Sequence, residues 1–429
     1  MLEQLNGYIW NAGLLTLLLG TGVLLTLRTG FFQVRGMGFI WKRVLGSLRR
    51  EQKDEGVSQW KICTAALSAS MGTGNIVGVT AALSIGGAGA VFWMWCSAFF
   101  GMMLTYGENV LSMRFRQTDE EGNLPGGPMA YLRYGLGAKW LGAVYAVLCI
   151  LASFGMGNMT QSSAAASALE EAFSVPPFVT GIILAVLLAL SVLGGIRSVG
   201  TVTQYLLPLA AAGYMLLAVL VILCHAERIP AAFGEIFTSA FGLRQLGGGA
   251  AGTAISAGLR HGVFSNEAGL GSSALIHSSA SGNDPYLQGM WSILEVFLDT
   301  MVCCTLTALA VLTAEVPIEM GVQPVAEAFS SVLGTYAYAV TAVMIVLFAV
   351  CTMLGWCCCG EAALGSLSTK RSVLLTYRGI FCLCGGLGAV GALSSVWTLS
   401  DIANGLMAVP NLLGLLLLMK YVQVPSLRR

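Results

Sequence analysis

Scanned with a window of about 19 residues, the chain is a succession of long apolar runs parted by short polar or basic ones. Eleven runs are long enough to cross a bilayer as helices, near residues 8–28, 57–85, 89–113, 139–168, 178–195, 200–224, 247–277, 289–312, 335–360, 374–393 and 397–419. None shows the two-residue alternation of a barrel strand, so the pattern predicts an all-α polytopic membrane protein. Two runs differ from the rest. In Ser68–Gly78, the glycines Gly72, Gly74 and Gly78 fall at mid-run among Ser68, Ser70, Thr73 and Asn75. Glycine is a poor helix former, and free backbone groups are costly in hydrocarbon unless they line a cavity, ion or ligand. This stretch reads as an unwound binding segment. Five runs later, 247–280 is crowded with Gly and Ser and holds Arg260, His261, Asn266 and Glu267. A matched pair of glycine-broken runs points to an inverted-repeat transporter.

The expected organisation follows. An N-terminal helix and basic segment occupy 1–56, a first five-helix repeat 57–225, a connecting outer loop 226–246, a second repeat 247–419 and a tail 420–429. Because five is odd, the two repeats enter the membrane from opposite sides. With the N-terminus outside, Arg28, Arg35, Lys42, Arg43, Arg49, Arg50, Lys53 and Lys61 fall in the first cytoplasmic loop. Arg114, Arg116, Arg133, Lys139, Arg197, Lys370, Arg371, Arg378, Lys420, Arg428 and Arg429 join them on that side, leaving only Arg228 and Arg244 outside and Arg260 within a span. That asymmetry is the positive-inside rule, and one miscounted helix would scramble it.

Composition agrees. Hydrophobic residues make up 56 % of the chain and charged residues 10 %, against about 25 % charged in soluble domains; mean hydropathy is +0.77. The basic residues are scattered through loops and form no nucleic-acid stripe. Met1–Asn6 lacks the basic start of a signal peptide, and the run after it is too long for one. The cysteines Cys303, Cys304, Cys357, Cys358, Cys359, Cys382 and Cys384 sit in apolar runs without paired ligand spacing, as small hydrophobes do.

Several shorter stretches carry open readings. Phe31–Leu48 mixes aromatic and basic residues and suits the cytoplasmic interface. Leu124–Met129 is a Pro/Gly-rich connector or a gate, and Ile229–Phe241 is an amphipathic outer-face helix. Gly86, Gly87, Gly194 and Gly195 fit close helix packing. Gly72-Thr-Gly74 lacks the βαβ context of a dinucleotide loop. Glu108, Glu267, Glu295, Asp299 and Asp401 lie in or near spans, where ionised groups default to function; Arg260 is a partner for one of them, and structural ion pairs are expected at Glu108 and Asp401. Glu295 and Asp299, four apart, share a helix face and leave proton coupling open. His225, His261 and His277 show no HExxH spacing, which leaves an intramembrane enzyme a remote alternative, and no filter motif suggests a channel.

Four stretches together resemble the alanine or glycine:cation symporter family: Gly72-Thr-Gly-Asn-Ile-Val-Gly78, Gly126-Gly-Pro-Met129, Phe264-Ser-Asn-Glu-Ala-Gly-Leu-Gly271, and Gly355-Trp356 with Gly360-Glu361. The resemblance spans nearly the whole chain. It implies a leucine-transporter-type fold of two inverted five-helix repeats plus one extra N-terminal helix, and Na⁺-coupled uptake of a small amino acid. The implied setting is the cell inner membrane, with the lipid bilayer and a small amino acid as partners and no obligatory protein partner. Cys357-Cys358-Cys359 departs from the family, which usually has aromatic residues there.

A zwitterion needs donors for its carboxylate and acceptors for its ammonium. The expected substrate residues are Ser70, Thr73, Gly74, Asn75, Gln161, Phe264 and Trp356. N–H groups of Thr73 and Gly74 would meet the carboxylate at a half-helix start, and carbonyls around His261–Phe264 the ammonium. Asn75 and Gln161 both donate and accept. Phe264 and Trp356 would be apolar walls, although bundle packing accounts for either, as helix packing does for Gln161. By the resemblance, the Ser68 and Met71 carbonyls and the Thr352 hydroxyl hold Na⁺ as coupling ion. A second ion near Ser70, Asn75 and Ser265 is a weaker expectation.

Overall fold

Helices begin where the sequence supplies a cap or a change of backbone direction. Asn11 accepts from the N–H groups of Gly13 and Leu14 and starts one helix; Ser58 accepts from Lys61 and starts another; Asp284, followed by Pro285, accepts from Tyr286 and Leu287. These are the capping choices expected of Asn, Ser and Asp. In the computed structural model, which describes residues 2–49, 58–117, 126–192, 195–241, 250–280, 282–391 and 394–427, every regular element among the described residues is helical. Arg50, Lys53, Leu124, Pro125, Gly194, Arg244, Gly247–Gly249, Arg428 and Arg429, which figured in the sequence reading, lie outside them.

In chain order, α1 (Leu2–Ile9) and α2 (Ala12–Arg28) precede two short helices, α3 (Phe32–Arg35) and α4 (Met37–Arg49). Next come α5 (Gln59–Ser70), α6 (Val77–Gly86), α7 (Gly89–Phe115), the turn-like α8 (Pro128–Ala130), α9 (Lys139–Phe154), α10 (Thr160–Phe173), α11 (Pro177–Val192), α12 (Gly195–Cys224) and α13 (Ile229–Phe241). The second half holds α14 (Ala250–Asn266), α15 (Ser272–His277), α16 (Pro285–Val296), α17 (Thr305–Ala314), α18 (Gln323–Leu333), α19 (Ala337–Leu367), α20 (Arg371–Ala389) and α21 (Ser394–Leu417). The amphipathic segment expected at Ile229–Phe241 is α13.

Among the described residues, eight helices are long and apolar enough to cross a membrane, and the pair α5/α6, bent by 53° at the first break, makes a ninth. Two of the eleven expected spans fall short for physical reasons. α11 is apolar but has 16 residues, about 24 Å of helix against a hydrocarbon core of about 30 Å. α14 has 17 residues and then breaks before α15.

Helices five spans apart pack on each other: α6 on α14, α7 on α16, α10 on α19 and α11 on α20. Their shared interior buries Trp356, Tyr106, Tyr131, Tyr145 and Tyr214, while Leu190, Leu209, Leu223 and Leu383 on the outer surface are 62–68 % exposed, as lipid-facing side chains are. Basic residues gather at one end. Arg43 pairs with Asp284 at 3.2 Å, Arg116 donates to the carbonyls of Ser278, Ala280 and Gly282, and Arg114 to that of Tyr421. The Gly126–Met129 loop is packed against this end: a Cβ on Gly126 would lie 2.2 Å from that of Ser278, and one on Gly127, at φ +77°, 2.3 Å from Leu275 Cδ2. It is a fitted connector onto α15.

Candidate functional site

The first break starts when α5 runs out of partners. Met71 N–H still donates to Leu67 O at 2.7 Å, but Gly72 N–H, which would close the next turn on Ser68, donates to Asn75 Oδ1 at 2.9 Å. The carbonyls from Ser68 to Met71 therefore lie beyond the helical ladder. A tight turn, Thr73–Asn75, follows, and its first backbone bond is Asn75 N to Gly72 O. The N–H groups of Thr73 and Gly74 precede that bond.

At Gly72 the break packs closely on α19. A Cβ there would stand 2.1 Å from Thr352 Oγ1, and one on Gly355, a turn onward, 2.6 Å from Ala69 N. The end of α5 thus lies along the Thr352–Gly355 edge. Thr352 Oγ1 is buried and has no hydrogen-bond partner among the described residues. An orphaned hydroxyl beside the open end of a helix is the kind of oxygen donor a hard cation takes, and Thr352 is compatible with the expected set of Ser68, Met71 and Thr352.

Thr73 Oγ1 donates to Gln161 Oε1 at 2.6 Å, and Gln161 Nε2 donates to Met156 O at 3.2 Å. Gln161 owes its position to the widened turn Gly155–Met159 between α9 and α10; such π-bulges recur at functional sites. Phe264 covers Gly74, its Cδ1 3.6 Å from where a Cβ would be. Ser70 joins none of these groups: its hydroxyl donates back to Leu67 O. Ser68 Oγ likewise returns to Ala65 O, leaving its carbonyl as the outward-facing atom.

Asn75 is fully engaged. Its Oδ1 accepts from Gly72, and its Nδ2 donates to Asp299 Oδ1 at 2.7 Å, to Asp299 O at 3.2 Å and towards Cys304 Sγ. The Asn75 carbonyl accepts from Thr307 Oγ1. Its side chain is a strut between the first break and the helix carrying Asp299. Asp299 lies on a π-helical stretch, Phe297–Cys304, between α16 and α17, and also accepts from Ser265 Oγ at 2.6 Å and Thr300 Oγ1 at 2.9 Å. One buried carboxylate therefore joins both broken helices. Sequence reasoning weighed Asp299 for proton coupling and left it out of the binding set; the signal was an acid amid an apolar run.

The second break lies later than expected. His261–Phe264 belong to the last turns of α14, which ends with Glu267 N donating to Val263 O at 2.8 Å. The unwound residues are Glu267–Gly271, with φ of +55° at Glu267, +89° at Gly269 and +81° at Gly271. Two of these three positions are glycine, which adopts that region readily. Side chains hold the break: Asn411 Nδ2 donates to Gly269 O, Tyr145 OH to Leu270 O, and Ala268 N to Asn266 Oδ1. The carbonyls of Phe264 and Ser265, not those of His261–Val263, are the ones left beyond the last helical bond.

The charged residues also differ from expectation. Arg260 pairs with Asp401 at 2.6 Å, as a structural ion pair, whereas Glu108 has no basic partner among the described residues and accepts from Asn411 Nδ2. Glu295 and Asp299 engage different elements. Glu295 meets His277 at 2.8 Å and Ser273 on α15, while Asp299 faces the first break and α14. Trp356, one turn beyond Thr352 and wholly buried, donates to Glu267 Oε1 at 2.7 Å. The three cysteines after it are packing groups: Cys357 points at Glu361, Cys359 at Ser272 O, and Cys149 at Cys359 O.

Comparison with known proteins matches this arrangement to transporters. The chain is 39 % identical over 428 residues to the sodium/alanine symporter AgcS of Methanococcus maripaludis, covering 97 % of this chain and 94 % of that one. It is 33 % identical to the probable sodium/glutamine symporter GlnT of Bacillus subtilis, with 97 % and 87 % covered. Among solved structures, MhsT in complex with L-phenylalanine superposes with a TM-score of 0.62 at 14 % identity, over 83 % of this chain and 89 % of that one, which shows a shared leucine-transporter-type fold. The family model described as the sodium:alanine symporter family matches residues 1–426. A match of that extent places the protein among transmembrane transporters that carry amino acids with a cation, and not among enzymes: the chain belongs to the sodium:alanine symporter family.

Proposed function

We propose that the protein imports a small neutral amino acid, alanine or glycine, with Na⁺ by alternating access. The observation that carries this reading is the facing pair of helix breaks, with the unpartnered Thr352 hydroxyl packed against Gly72 at the open end of α5. In this reading Na⁺ rests on Ser68, Met71 and Thr352. The substrate carboxylate takes the N–H groups of Thr73 and Gly74 at the start of a half-helix, where the dipole favours an anion. The ammonium takes the carbonyls at the end of α14. Gln161 and Asn75 hold the first break in shape, and Phe264 over Gly74 limits side-chain size. The packing of helices five spans apart supports two five-helix repeats over 57–225 and 247–419 with eleven crossings. The gathering of basic residues at one end supports a cytoplasmic C-terminus and an outer N-terminus.

Uptake of radiolabelled alanine and glycine into proteoliposomes tests the proposal. An inward Na⁺ gradient is expected to drive accumulation, and uptake indifferent to that gradient would sink it. Asp299 favours a second reading of the coupling. A buried carboxylate with donors on both oxygens and no basic partner among the described residues calls for a cation or a proton. Either a second Na⁺ beside Asp299, Asn75 and Ser265 or proton coupling meets that need, and accumulation driven by a pH gradient without Na⁺ would select the proton.

A further inference from the structure

Glu267, at the second break, ties three elements together. Its N–H makes the last helical bond of α14, and its backbone then turns into the left-handed region at φ +55°. That conformation is uncommon for a side chain longer than Asn or Asp, so something must hold it. One carboxylate oxygen accepts from Ser272 Oγ at the start of α15; the other accepts from Trp356 Nε1 on α19 at 2.7 Å. The group is 3 % exposed and has no basic partner among the described residues.

Trp356 is fixed from its other side by an absence. A Cβ on Gly157 would lie 2.2 Å from Trp356 Cγ and 2.4 Å from its Cβ, so the indole is seated in a notch that only glycine leaves open. Gly157 belongs to the widened turn that places Gln161 on Thr73. Thr352, against Gly72, is on the same face of α19 one turn earlier. The indole therefore lies between the turn that places Gln161 and the second break, and its N–H is held by a hydrogen bond that it donates to Glu267.

We propose that Glu267 is a positioning residue: by holding the indole N–H of Trp356, it sets how far that wall stands from the substrate and so which side chains the pocket admits. This rests on reading Trp356 as a pocket wall of an amino-acid transporter. The bond needs an acceptor, not a charge. A glutamine at 267 can accept from the indole through Oε1 while its amide donates to the Ser272 hydroxyl, which turns to accept.

The test is a selectivity cycle in proteoliposomes. The ratio of kcat/KM for alanine to that for valine is measured in the wild type, Glu267→Gln, Glu267→Met, Trp356→Phe and the Glu267→Met/Trp356→Phe double variant. Leaving one buried hydrogen-bonding group unpaired is expected to change the ratio about tenfold in Glu267→Met and in Trp356→Phe, mainly through KM. The double variant is expected to be no worse than either, and Glu267→Gln to stay near the wild type. Multiplying losses in the double variant, or a Glu267→Gln protein as altered as Glu267→Met, would overturn the assignment. Trp356→Phe interrogates the same bond with Glu267 intact if Glu267→Met does not reach the membrane. A wild type that carries neither amino acid would refute the transport reading itself, and this shows before any variant is compared.

Discussion

Gly72→Ala is the most incisive perturbation of the first break. Gly72 sits at φ −143°, ψ −152°, extended backbone that alanine also adopts, so the substitution acts through space alone. Its Cβ would meet Thr352 Oγ1 at 2.1 Å, Thr352 Cβ at 3.1 Å and Cγ2 at 3.4 Å. Ordinary contact requires a separation of about 1 Å more than the first of these. Thr352 is β-branched and held in the middle of α19, so it cannot simply swing aside. The break and α19 must part, at a cost of about 1–3 kcal/mol for such overpacking. Because the atom pushed away is the hydroxyl assigned to Na⁺, the loss is expected mainly in ion affinity. The Na⁺ concentration for half-maximal alanine uptake should rise about tenfold or more, since 1.4 kcal/mol corresponds to a factor of ten, while alanine KM at saturating Na⁺ moves much less. The double variant Gly72→Ala/Thr352→Ala removes the clash. It should recover thermal stability in detergent without recovering Na⁺ affinity. Gly72→Ala protein with wild-type Na⁺ dependence would refute the reasoning, and so would recovery of Na⁺ affinity in the double variant.

Other outcomes follow from the same geometry. Thr352→Ser keeps the hydroxyl and should retain Na⁺-driven uptake, whereas the near-isosteric Thr352→Val should lose it; equal activities would remove Thr352 from the ion site. Asn75→Ala strips partners from Gly72 N–H and Asp299 and, at about 1–3 kcal/mol for buried groups left unpaired, should lower the melting temperature as well as uptake. A variant defective only in alanine KM would place Asn75 on the substrate instead. The Arg260–Asp401 pair has side chains 36 % and 21 % exposed, so a double-mutant cycle on stability should give a coupling of only about 0.2–1 kcal/mol. For topology, Lys42→Cys in a Cys224→Ser background should react with an impermeant maleimide in inside-out vesicles only. The native exposed Cys224 should react from the opposite side, and the reverse pattern would invert the orientation.

How much of this was legible in the residues differs from element to element. Apolar runs of helix length and the distribution of basic side chains follow from local chemistry, so the helices from Gly89–Phe115 to Ser394–Leu417 stand near where the hydropathy pattern places them. Ser68–Gly78 suggests its own unwinding, because glycines and polar side chains coincide there at mid-span. The second break was located less well. Gly252, Gly258 and Gly262 advertise weakness along all of α14, yet the helix persists to Asn266. Gly258 and Gly262 are instead the positions where α14 meets α7, since a Cβ there would strike Ala90 O at 2.3 Å and Ser97 Cβ at 2.7 Å. Glycine for close approach and glycine for unwinding look alike in a sequence, and only the neighbouring helix distinguishes them.

The roles of polar side chains were decided by tertiary contacts in the same way. Asn75 has the chemistry to bind a zwitterion, but the fold engages both of its side-chain polar atoms with Gly72 and Asp299. Glu295 and Asp299 share a spacing of four, but the π-helical stretch beginning at Phe297 and the different helices opposite them send one to His277 and the other to Ser265. Hydrophobic periodicity and charge placement are properties of each segment, so the residues alone determine a multi-spanning helical membrane protein with two broken helices. Which side chains meet across those breaks depends on pairs more than a hundred positions apart, such as Gly72 with Thr352 and Asn75 with Asp299. That is fixed only when helices distant in the chain pack together.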